Sequence, residues 1–115
     1  MSLTELKKIL EEKGVCRSLV EVERGGSCIL YACKRGDKPL VLIAVANHND
    51  WVYARLVPEL GAPPDYWHCN YIYYTPYGLY AFARSLEELV EKIAGKIRHV
   101  DAIGILAAER SGIKG

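Results

Sequence analysis

The sequence predicts an α+β domain, an antiparallel β-sheet of five to six strands with an N-terminal and a C-terminal amphipathic helix packed on it. Three observations carry that prediction. Both ends of the chain place apolar residues at helical spacing behind a capping box. Between them, short strand-like runs are separated by glycine-bearing turns. One run, Pro39 to Ala46, reads LVLIAVA after its proline, as a central strand covered on both faces does. A chain of 115 residues accommodates one such domain, residues 1–115, with a proper core.

Taken in order, Ser2-Leu3-Thr4-Glu5 has capping-box spacing. Leu3, Leu6, Ile9 and Leu10 then line one face of a helix over residues 3–13, which Gly14 closes. Val15 to Glu23 alternates and turns at Gly25-Gly26 into Ser27 to Lys34. Arg35-Gly36-Asp37 turns again into the apolar run, and Asn47-His48-Asn49-Asp50 ends it as a polar turn. Trp51, Tyr53, Arg55 and Val57 alternate as a strand does, although Asp50 is also placed to cap a short helix; strand is the preferred reading. Pro58 to Cys69 is a long connection, of a kind that is usually functional or ordered by a partner.

Asn70 to Arg84, NYIYYTPYGLYAFAR, reads as a β-hairpin about a loop from Pro76 to Gly78. That register puts Tyr71, Tyr73, Ala81 and Ala83 on one face and Ile72, Tyr74, Tyr80 and Phe82 on the other. Ser85-Leu86-Glu87-Glu88 is a second capping box, followed by Leu86, Leu89, Val90, Ile93, Ile97 and Val100 along one helical face. Glu88 and Lys92 stand as an i, i+4 pair in the favourable order. Asp101 to Ala108 reads as a short strand or as helix, with Gly104 leaning towards strand. Ser111 to Gly115 should fray.

Fifteen basic against fourteen acidic residues leave a net charge of +1, so no global electrostatic case for nucleic acid or an anionic membrane exists. No apolar run is long enough to span a bilayer and the first residues do not form a signal peptide, so a cytoplasmic protein is expected. The absence of glutamine and the single methionine lean towards a thermophile. Cys16, Cys28, Cys33 and Cys69 form no C-x-x-C and are read as small buried thiols rather than a zinc framework. Cys16 and Cys33 are the pair able to approach across the first hairpin, and an intracellular disulfide would fit a hyperthermophile. His48 beside His68-Cys69 lacks a fourth ligand, and no P-loop, dinucleotide, G-x-S-x-G or H-E-x-x-H pattern occurs. The expectation is a non-enzymatic protein without metal or cofactor.

Ten of the eleven aromatic residues lie between Trp51 and Phe82, and tyrosine outnumbers phenylalanine eight to one. A tyrosine hydroxyl must find a partner in a core, whereas a half-wet contact surface satisfies it with water. Three readings of this stretch stand. It is a stacking platform for single-stranded nucleic acid, with Trp51, Tyr53, Trp67, Tyr71 and Tyr73 against bases and Lys34, Arg35, Arg55 and Arg84 against phosphates. Alternatively it is a subunit interface, or an aromatic-rich core. The first two are compatible in a homo-oligomer.

The layout of helix, antiparallel sheet, aromatic hairpin and closing helix, with Tyr71-Ile72-Tyr73-Tyr74, Trp51, Trp67 and Arg84, resembles the ThermoDBP-type single-stranded-DNA-binding proteins of archaea and their relatives. That resemblance implies oligomers enclosing single strands. A helix followed by three strands is also similar to the core of restriction-enzyme-like nucleases. Ala44-Val45-Ala46 stands where their metal-holding residues belong, so that resemblance implies a catalytically inactive copy.

Overall fold

The computed structural model describes residues 4–25, 27–59, 62, 64–75 and 78–110; for residues 4, 73, 74 and 101–110 the description is of the backbone. Helix α1 (Thr4–Glu12) leads into strands β1 (Ser18–Arg24), β2 (Cys28–Arg35), β3 (Lys38–His48) and β4 (Trp51–Pro58). A 3-10 turn (Pro64–Tyr66), helix α2 (Cys69–Tyr74), strand β5 (Leu79–Ala83) and helix α3 (Leu86–Arg110) follow. The five strands form one antiparallel sheet in the order β1-β2-β3-β4-β5, and the helices pack on it. No helix among the described residues is long and apolar enough to cross a membrane.

Local chemistry explains most boundaries. Gly14 ends α1 at φ 73°, and Gly36 turns β2 into β3 at φ 74°, positions that favour glycine because a Cβ is strained there. Asn49 adopts φ 56° between His48 and Trp51, which face each other, so the polar cluster is a plain two-residue hairpin turn. The Trp51 segment is accordingly a strand. Ser85 caps α3, with Glu88 N–H donating to Ser85 Oγ at 3.1 Å, while the Glu88 carboxylate turns to Lys92 at 3.3 Å instead of returning to the Ser85 N–H. Ser2 and Leu3 of the first box, Gly26 of the first turn and Ser111 to Gly115 lie outside the described residues.

The sheet is covered on both faces, as the apolar β3 run requires. On the first face Leu19, Tyr31, Val41, Ile43, Val45, Ala54 and Leu56 pack against Leu6 and Leu10 of α1 and Leu89, Val90, Ile93 and Ile97 of α3. On the second, Leu30, Ala32, Leu42, Ala44 and Val57 lie beneath Ala62, Cys69 and Ile72. This second cover is partial, because α2 is short, and the β4–β5 side of the sheet is left open to solvent.

Two expectations need correction, and one open reading resolves. Asn70 to Tyr74 is not the first arm of a hairpin; it lies in α2, and only Leu79–Ala83 is strand. Pro76 and Tyr77 of the expected loop lie outside the described residues. Cys69 and Ile72, three residues apart, both point at the sheet, and anchoring at Cys69 overrides the strand preference of the aromatic run. Of the two readings of Asp101 to Ala108, helix is the one adopted: α3 runs through it, absorbing the ~1 kcal/mol cost of Gly104.

The cysteines, finally, are not free thiols: Cys16–Cys33 and Cys28–Cys69 are disulfides, with Cα separations of 5.5 Å and 6.5 Å. The reason lies in strand alternation. Cys28 and Cys33 are an odd number apart on β2 and face opposite sides, so each finds its partner on its own side of the sheet.

Candidate functional site

Alternation along β4 sends Trp51, Tyr53 and Arg55 to the second face, and along β5 it sends Tyr80 and Phe82 to the same side. Register then sets them side by side, Tyr53 opposite Phe82 and Arg55 opposite Tyr80. The Tyr53 and Phe82 rings lie 5.8 Å apart, and Tyr80 and Phe82 stack at 5.9 Å. The Arg84 guanidinium lies 4.7 Å from the Trp51 ring centre and that of Arg55 lies 4.2 Å from Tyr80. Trp51, Tyr80 and Phe82 are 42%, 40% and 49% exposed. The result is a solvent-facing strip of four rings spanning about 13 Å of β4, bracketed by two arginines.

The two arginines differ in kind. Arg84 is exposed, whereas Arg55 is 5% exposed and donates through Nη2 to the Thr75 carbonyl just past α2. Burial pulls its pKa below the ordinary value, with the Tyr80 side chain acting the other way. Arg55 therefore supports the strip from below and holds the C-terminal end of α2, where a cation suits the helix dipole.

The opposite end of α2 is held by Glu23 of β1. Its Oε1 accepts from the Cys69 N–H at 2.9 Å and its Oε2 lies 2.8 Å from His68 Nδ1. The Cys69 amide first, and His68 second, hold the Glu23 carboxyl below its ordinary 4.5. A lowered carboxylate pKa contributes stability that is present above 4.5 and disappears as pH falls through the lowered value. Protection factors of the amides in residues 69–74, with the intrinsic pH dependence of exchange divided out, should therefore fall below about pH 4.5 in the wild-type chain and lose that acid step in Glu23→Gln.

Along the outer edge of β5 lie two lysines of α3. Lys96 Nζ donates to the Tyr80 carbonyl and Lys92 Nζ to the Phe82 carbonyl. These are the carbonyls an edge strand offers to another chain, so the lysines blunt strand addition and also set two ammonium groups beside the strip.

Of the residues expected to stack, Trp51 and Tyr53 are in the strip. Tyr71 and Trp67 are not; they are half-buried over the second-face core. Tyr71 packs 4.9 Å from Tyr66, and Trp67 donates through Nε1 to the Ala62 carbonyl at 2.7 Å. The Tyr73 side chain lies outside the described residues. Of the phosphate contacts, Arg55 and Arg84 are in the strip, while Lys34 and Arg35 sit at the far end of β2, beside the β2–β3 turn.

Comparison with protein-family models, curated proteins and solved structures finds no match for this chain.

Tyr80 and Phe82 in the strip, and Lys92 and Lys96 beside it, are the residues that sequence reasoning passed over. Tyr80, Phe82 and Arg84 share one side of an alternating run, a signal that was visible, but the expected hairpin paired them with residues that are helical. The donor set of His48, His68 and Cys69 is not assembled, because Cys69 is in a disulfide and His68 faces Glu23.

Proposed function

We propose that the chain binds single-stranded nucleic acid, DNA or RNA, without sequence readout or catalysis, through the strip formed by Trp51, Tyr53, Tyr80, Phe82 and Arg84. The observation that carries this reading is the exposure of three large rings in one contiguous row on the open β4–β5 side of the sheet, with cations at hand. Bases of any identity stack on such rings, while Arg84, Lys92 and Lys96 face the phosphates. Local cations make up for the chain's near-zero net charge, because screening confines the relevant field to about 8–10 Å.

The experiment is anisotropy of a labelled oligonucleotide at low salt. Trp51→Ala and Phe82→Ala should each weaken binding by about 1–3 kcal/mol, Arg84→Gln should flatten the salt dependence, and Tyr66→Ala, which removes a ring packed on Tyr71 outside the strip, should change neither. Equal affinity for the wild type and Trp51→Ala would remove the proposal.

A second reading, assembly of copies through the strip, is favoured by Phe82, whose exposed ring has no polar edge to present to water. It and the first reading coexist in a homo-oligomer whose strips surround one strand. With the β5 edge held by Lys92 and Lys96, copies would meet face to face rather than by extending the sheet. A sedimentation mass that is unchanged in Phe82→Ala counts against this interface. A cytoplasmic location is compatible with two disulfides in the cytosol of a hyperthermophile.

A further inference from the structure

At the end of the sheet away from Trp51, on the face covered by α1 and α3, lies an open cavity of about 360 Å³. Its rim carries Lys13 from the end of α1, Arg35 and Lys38 from the β2–β3 turn, and Arg98 from α3. Ala94 and Ile97 contribute to its wall, and no carboxylate is among the described lining residues. Four cations from three separate elements thus converge on one concavity.

Repulsion among like charges ordinarily disperses such groups over a surface, and here the fold holds them together instead. The Cys16–Cys33 disulfide ties the segment after α1 to β2 two residues before Arg35, fixing the Lys13 wall against the Arg35 wall. Arg35 is half-buried, and its Nη2 donates to the Pro39 carbonyl at 2.9 Å, which anchors its guanidinium at the turn. Lys13, Lys38 and Arg98 form no ion pair with any described side chain.

We propose that this cavity binds a compact, multiply charged phosphate group, either a free pyrophosphate-type anion or the terminal phosphate of a nucleotide chain. The chemistry follows from the rim: tetrahedral oxyanions of high charge accept hydrogen bonds from guanidinium and ammonium groups approaching from several sides. Neither Trp51 nor any other strip residue takes part, so the cavity's ligand and the strip's ligand are separable.

Isothermal titration of the full chain with sodium pyrophosphate at low chloride tests this directly. Saturable one-to-one binding is expected, tighter than for orthophosphate. Lys13→Gln and Arg98→Gln, both at exposed positions, should each weaken it about tenfold, the loss of one charge-assisted hydrogen bond. Lys7→Gln, which removes one charge from the exposed side of α1, should leave it within about twofold. Trp51→Ala should leave it unchanged, so failure here and failure of the strip are distinguishable. Displacement of pyrophosphate by a 5′-phosphorylated oligonucleotide but not by its 5′-hydroxyl counterpart assigns the nucleotide-chain source; displacement by neither assigns the free anion. Absence of saturable binding, or equal weakening by Lys7→Gln and Arg98→Gln, overturns the proposal.

Discussion

Under reductant the chain should melt tens of degrees lower, and the larger share of that loss should follow removal of Cys28–Cys69. The bridges join residues 17 and 41 positions apart. Loop-closure entropy assigns about 3 kcal/mol to the shorter and about 4 kcal/mol to the longer. A domain of this size has only about 5–15 kcal/mol of net stability, so together the bridges account for a large part of it. Their positions add a local effect. Cys28–Cys69 fastens α2 over the second-face core at the same end where Glu23 holds the Cys69 amide. Thermal unfolding of Cys28→Ser/Cys69→Ser and Cys16→Ser/Cys33→Ser variants measures the shares; melting temperatures within a few degrees of the oxidised wild type would contradict both.

The second large effect is expected at Gly78. A Cβ there would lie 2.7 Å from the Leu56 carbonyl oxygen and 2.9 Å from both Arg55 Cζ and Val57 Cγ2. None of these can yield cheaply. Leu56 is in the β4 ladder, Val57 is in the second-face core, and the Arg55 guanidinium is committed to Thr75 and Tyr80. Gly78→Ala should cost about 3 kcal/mol or more, as overpacking against backbone does. It should also disturb Tyr80 by pushing Arg55 aside. Gly95→Ala is the control, because nothing lies within 4 Å of its Cβ. The denaturation midpoint should fall sharply for the first and hold or rise for the second; a Gly78→Ala midpoint equal to wild type would show that β4 and β5 approach less closely than described.

The parts of the fold legible in the sequence were those in which local rules and tertiary packing agree. Ser85 caps its helix and Glu88 pairs with Lys92 as their spacing predicts, Gly14 and Gly36 take the positive φ expected of them, and the β3 run is buried on both sides. The failures came where distant groups decide. Tyr71 to Tyr74 has strand-forming side chains, yet a disulfide to Cys28, a carboxylate from Glu23 and a guanidinium from Arg55 hold α2 at its ends. None of those three partners lies near it in sequence. The disulfides divide in the same way: hairpin spacing offered Cys16–Cys33 as an alternative to free thiols, whereas nothing local placed Cys69 on the same side of β2 as Cys28. At the candidate site, alternation alone placed Trp51, Tyr53 and Arg55 on one side of β4, while Arg84 follows β5 and was paired with a residue that is helical. Lys92 and Lys96 reach β5 only through helix packing, which no periodicity in the chain reveals.

The decisive measurement is tryptophan fluorescence during titration with a single-stranded oligonucleotide and with its duplex, at 50 mM salt or below, on the wild type, Trp51→Phe and Trp67→Phe. Stacking at the strip predicts saturable quenching by the single strand and weaker quenching by the duplex, retained in Trp67→Phe and lost in Trp51→Phe. A wild-type signal indifferent to the single strand, or quenching that persists without Trp51, would contradict it.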